Sequence, residues 1–220
     1  MSITKQENEL FRKWALSRQG FVADGLAGET AYLASDPKVV FVMKEVNDPG
    51  GGGWDQREFM RKGGRPQTWN NITRWVIGIR ELEKDVAWKD VEEITEQQRI
   101  EALKSICAMN LKKSPGGSPT DNASLATIAN EDKEYLNQQF SLYNADLVIC
   151  CGAATSEIFH SVMELDSRPD WRTTQRGVWF HEYKPKKYIV EYSHPQARVQ
   201  GYLLYYGLVD AVREIFAVSS

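Results

Sequence analysis

The stretch NADLVICCGAATSEIF occupies residues 144–159 and holds an unbroken apolar run, a glycine and a helical pattern, in that order. The run at 146–151 has no helical repeat. It is continuous rather than alternating, as strands buried on both faces are. Gly152 then opens a helix whose apolar positions are Ile158, Val162 and Leu165, while Leu136, Phe140 and Tyr143 mark another helix before the run. A strand held between two helices belongs to a parallel sheet covered on both sides.

Four more runs rich in Val, Ile and aromatics stand at 38–43, 105–111, 177–182 and 187–192. Helical patterns lie between and after them. Trp69, Ile72, Val76 and Ile79 share one face, with Thr68 placed to cap it. Thr95 with Gln98 resembles a capping box leading into the second run, and Leu204, Leu208, Ala211, Val212 and Ile215 mark the last helix. The segments 123–130 and 166–176 read as loop insertions. The expectation is an α/β chain with one domain over residues 1–220. Its architecture is a three-layer α/β/α sandwich around a central, mainly parallel sheet of four to five strands.

The totals suit such a domain: 220 residues, 42% hydrophobic and 26% charged. No apolar run has membrane-spanning length, and the start MSITKQENELFRKW is polar and amphipathic, so no membrane partner is expected. Cys107, Cys150 and Cys151 lack metal-ligand spacing and fit a reducing, cytoplasmic setting. No metal or cofactor is implied. The 27 basic and 30 acidic residues leave a net charge of -3, whereas proteins that hold nucleic acid by phosphate neutralisation are usually more basic. Basic clusters do occur locally, at Arg57, Arg61, Lys62 and Arg65, at Lys112 with Lys113, and from Arg172 to Lys187.

In open parallel sheets the site lies beyond the carboxyl ends of the strands. Four such ends carry polar and glycine-rich residues. Glu45, Asn47, Asp48 and four glycines follow the first run; Asn110, Lys112 and Lys113 close the second; Gly152 follows the third; Ser193, His194 and Arg198 follow the fifth. The glycines are not a P-loop, because Trp54, Asp55 and Gln56 stand where Lys and Ser or Thr are required, and Pro49 spoils a dinucleotide fingerprint. Glu45 and Asp48 read either as loop-capping carboxylates or as groups that position a water. Asn110 either braces its neighbours or reads a ligand edge. Trp54 either anchors the glycine loop or stacks on a flat ligand. His194, at a strand end before a proline, is the sharpest single candidate.

Three pieces together resemble the uracil-DNA glycosylase superfamily, in the family's order and across most of the chain. VNDPGG at 46–51 is similar to the water-activating motif, AMNLKKSPGG at 108–117 to the strand and loop bearing a base-reading Asn, and SHPQAR at 193–198 to the motif with the catalytic histidine. The stretch at 144–159 looks like the family's third strand, glycine turn and helix. The resemblance implies hydrolysis of the bond joining an altered base such as uracil to deoxyribose, with single- or double-stranded DNA as partner. Asp48 would orient the water, with Asn47 or Glu45 as rival occupants, and His194 would stabilise charge on the departing base. Asn110 would read a flipped base. Gln196, Arg198, Lys112 and Lys113 would fill the gap or grip phosphates.

The chain departs from the pattern at Val46, where glycine is expected, at Gly50, where an aromatic is expected, and at Gln196, where serine is expected. The iron–sulfur cysteines of some branches are absent. Two other readings follow: a glycosylase-fold protein that binds nucleic acid or a protein without turnover, and a hydrolase of a nucleotide-like small molecule using Glu45, Asp48 and His194.

Overall fold

In the computed structural model, residues 1–117, 121–165 and 169–217 are described. Strands β1 (Gly25–Leu26), β2 (Val39–Met43), β3 (Cys107–Asn110), β4 (Leu147–Cys151), β5 (Arg172–Thr173), β6 (Trp179–Lys184) and β7 (Lys187–Tyr192) form one sheet of order β1-β3-β2-β4-β7-β6-β5. The centre β3-β2-β4-β7 is parallel, while β1 and the β6 and β5 pairings are antiparallel. The sheet is therefore mixed and seven-stranded rather than mainly parallel with four or five strands.

The physical reasons are local. Only Pro185 and Lys186 join β6 to β7, a connection too short for a parallel crossover. Strands β1 and β5 contribute two residues each, and neither contains an apolar run by which it could be found.

All five residues of β2 and of β4 are buried. Val39, Phe41 and Met43 enter one core with α3 (Gln56–Arg61), α4 (Pro66–Arg80), α5 (Trp88–Val91), α6 (Glu96–Lys104) and α10 (Gly201–Ala217). Val40 and Val42 enter the other with α1 (Ile3–Trp14), α2 (Glu29–Leu33), α7 (Asn122–Glu131), α8 (Lys133–Tyr143) and α9 (Ala153–Val162). Successive side chains of a strand point to opposite faces, so a run that is apolar throughout must be covered twice. Helices do cover both faces.

Thr95 and Gln98 form the full capping box at α6. Helix α4 begins at Pro66 with Arg65 as its cap, so Thr68 is not the cap; proline at the first helical position supplies the start. The segment 123–130 is helix, not loop: Asp121 caps α7 by accepting the N–H of Ala123. In 166–176, residues 166–168 lie outside the described part, and β5 lies within the rest. Among the described residues no helix is long and apolar enough to cross a membrane. The three cysteines are buried and free.

Candidate functional site

Strands β2, β3 and β7 end at the same edge of the sheet, with Met43 in register with Asn110. Beyond them opens a cleft of about 520 Å³, within the range of small-molecule sites. Glu45, Asn47, Asp48, Trp54, Asn110, His194 and Gln196 all line it. The residues named from widely separated motifs thus converge on one space. Lys112, Lys113, Gly152 and Arg198 do not line it.

Each convergent residue has a definite local cause. The loops after β2 and β3 continue side by side, with the N–H of Lys112 on the carbonyl of Lys44 at 3.0 Å and that of Gly116 on Val46 at 3.0 Å. Glu45 turns into this seam and accepts from Lys112 Nζ at 2.6 Å, with only 5% of its side chain exposed. Gly116 leaves the room: a Cβ there would stand 1.9 Å from Glu45 Oε1. Glu45 and Lys112 are each other's partners.

Asp48 organises the glycine loop. Its Oδ1 accepts from the N–H of Gly50 at 2.7 Å, and its Oδ2 from Gly52 N–H at 3.0 Å and from Trp54 Nε1–H at 2.8 Å. The indole donor, followed by the two amides, holds the Asp48 carboxyl below the usual carboxylate range. Gly52 sits at φ +80, and a Cβ there would meet the Gly20 carbonyl oxygen at 2.0 Å. The glycines therefore let two backbone segments touch. Trp54 anchors this loop through its N–H while its ring lies edge-on to Phe59 at the cleft wall.

His194 follows β7. Its Nδ1 accepts the backbone N–H of Gln196 at 3.1 Å, which assigns the ring proton to Nε2 in the neutral form. Burial, then nearby Lys44, pulls its pKa below the ordinary value. The Pro195 carbonyl accepts from Asn71 of α4 at 2.7 Å, and Gln196 Nε2 donates to Thr68 at 2.7 Å. Helix α4 thus braces the histidine loop, and Thr68 does this rather than capping.

Asn110 is 3% exposed and held from below. Its backbone N–H donates to Asp24 Oδ2 at 2.8 Å, and its Nδ2 donates to Asp24 Oδ2 at 3.1 Å and to Gln56 Oε1 at 2.7 Å. Lys113, fully buried, lies on the same Asp24 carboxylate at 2.7 and 2.8 Å and over the Trp14 ring at 5.0 Å. It faces the interior, not a ligand. Gly152, at φ +112, donates to the Tyr192 carbonyl and caps α9. Arg198 is exposed beside the histidine loop.

Sequence reasoning missed Asp24, Gln56, Phe59, Arg65 and Trp69. Gln56 had one visible signal: it follows Asp55, which caps α3 by accepting the N–H of Arg57 at 2.9 Å. Asp24 had none, because its partners come from β3, α8 and the loop after β3. No protein-family model matches the chain, and no curated protein matches it.

Proposed function

We propose that the chain is a divergent relative of the uracil-DNA glycosylases and that the cleft hydrolyses the N-glycosidic bond of a base turned out of a DNA strand. One observation carries the reading: Asp48, Asn110 and His194, separated by 62 and 84 positions along the chain, line a single cleft at the carboxyl ends of parallel strands. A neutral imidazole with its proton on Nε2 is the form that can donate to an oxygen as charge gathers on a leaving base. Ionised Asp48 retains acceptor capacity on Oδ1 for a water. Trp54, Phe59 and Trp69 supply apolar wall for a flat ring, and Lys44 and Arg65 put positive charge at the same cleft.

A second reading, a protein that binds a base or nucleotide without cleaving it, is favoured by Asp48 itself. Three hydrogen bonds from its own loop give that carboxylate a structural task and weaken it as a base.

The deciding assay is release of free uracil and of other altered bases from single- and double-stranded oligonucleotides. Release that disappears in His194→Ala and persists in His181→Ala supports hydrolysis. Tight, salt-dependent binding with no release from any base supports the second reading.

A further inference from the structure

Asn110 cannot read a ligand edge with both ends of its amide. The Asp24 carboxylate only accepts hydrogen bonds, so the atom 3.1 Å from its Oδ2 is the Asn110 nitrogen. The second hydrogen of that nitrogen goes to Gln56 Oε1 at 2.7 Å. Both donors are spent, and only Oδ1 remains for the cleft. Gln56 is oriented by the same bond: its oxygen faces Asn110, and its Nε2 is left over. Among the described residues neither Asn110 Oδ1 nor Gln56 Nε2 has a hydrogen-bond partner, although each residue is only 3% exposed and both line the cleft. Neither atom is among the buried side-chain atoms that lack a partner, so both stay open to the cleft, where a ligand can reach them.

The sheet order arranges these atoms. His194 follows β7, Asn110 ends β3 on the far side of β4 and β2, and Gln56 pairs with the segment leading into β1, donating its N–H to Ala23 at 2.7 Å. Across the cleft the sequence is His194, Asn110, Gln56: donor, acceptor, donor. Its complement is acceptor, donor, acceptor, the C=O, N–H, C=O edge of a planar imide.

We propose that Gln56 is a specificity-determining residue that supplies, through Nε2, the donor that Asn110 has lost to Asp24, so that the cleft selects imide rings over their amino counterparts. The inference rests on the reading of the cleft as a base site. Uracil presents the matching edge. Cytosine mismatches at two of the three positions, and 3-methyluracil loses the central N–H.

Calorimetric titration of the intact protein with uracil, cytosine and 3-methyluracil as free bases, up to millimolar concentration, tests it. Wild type is expected to bind uracil at least tenfold more tightly than the other two. Gln56→Glu, nearly isosteric, still accepts from Asn110 but presents an acceptor to the ligand, and Gln56→Leu presents nothing. Each is expected to lose about tenfold in uracil affinity and to narrow the margin over cytosine. Unchanged discrimination in both folded variants overturns the role of Gln56 and leaves the base site standing. Equal wild-type affinity for uracil and 3-methyluracil overturns the donor–acceptor–donor order. Binding of none of the three overturns the base-site reading along with this one.

Discussion

The backbone N–H of Gln196 donates to Nδ1 of His194 at 3.1 Å. Two residues of loop thereby choose the tautomer of the one histidine in the cleft and aim its proton outward. Because burial and Lys44 keep the ring's pKa below its ordinary value, the neutral form persists at mildly acidic pH. If the cleft is hydrolytic, His194→Ala should cost 10²-fold or more in kcat, in line with loss of an oxyanion donor. The acid limb of the wild-type rate should lie below the ordinary histidine range. A pH–rate profile checks both.

Trp54 should tune Asp48. Its indole N–H is the foremost cause of the lowered Asp48 pKa, and Trp54→Phe removes that donor while keeping an aromatic wall. The Asp48 pKa should rise, and its carboxyl titration, followed by NMR below the limb that His194 sets, should move to higher pH. An unchanged Asp48 titration in the Phe variant would show that the indole N–H does not tune it.

The glycine loop yields a contrast between neighbours. Gly52 and Gly53 both have φ near +80, but a Cβ at Gly53 meets open space, whereas one at Gly52 meets the Gly20 carbonyl. Gly53→Ala should cost about 1 kcal/mol, the strain of a left-handed alanine. Gly52→Ala should cost more and displace the loop from the segment at Gly20. Denaturant midpoints give the order, and loop proteolysis should increase only in the second.

Lys113 and Asp24 form a buried pair, with both side chains inaccessible. Lys113→Met strands the Asp24 charge and should lower stability by about 3–5 kcal/mol, and adding Asp24→Asn should recover part of that loss. Urea unfolding of the two single variants and the double variant measures the coupling.

A second polar pair lies away from the cleft. His160 Nε2 and His181 Nε2 are 2.7 Å apart, and the Trp171 ring centroid lies 4.9 and 4.8 Å from those of the two imidazoles. Burial, and then His160, lower the His181 pKa to about 4. The folded chain therefore binds fewer protons than the unfolded one in this range. Stability is intact above pH 6.5 and declines as pH falls from 6.5 toward 4, by on the order of 2 to 3 kcal/mol from this group. His181→Phe should flatten the acid side of a plot of Tm against pH.

What could be read along the chain were features whose cause is local. The runs at 38–43, 105–111, 146–151 and 187–192 became β2, β3, β4 and β7, because continuous apolarity demands cover on both faces. Thr95 and Gln98 capped α6 because a capping box closes within four residues. The strand ends then brought Asp48, Asn110 and His194 to one edge, since parallel strands share a direction.

Three-dimensional partners decided the rest. Adjacent Lys112 and Lys113 look alike in sequence, yet one pairs with Glu45 at the seam and the other with Asp24 inside. Strands β1 and β5 exist through their neighbours' free backbone groups, not through any pattern of their own. Asn110 carries the same amide wherever it stands. Which end of that amide reaches the cleft was set by a carboxylate 86 positions away, because a hydrogen bond is chosen by distance in space and the chain's order does not encode that distance.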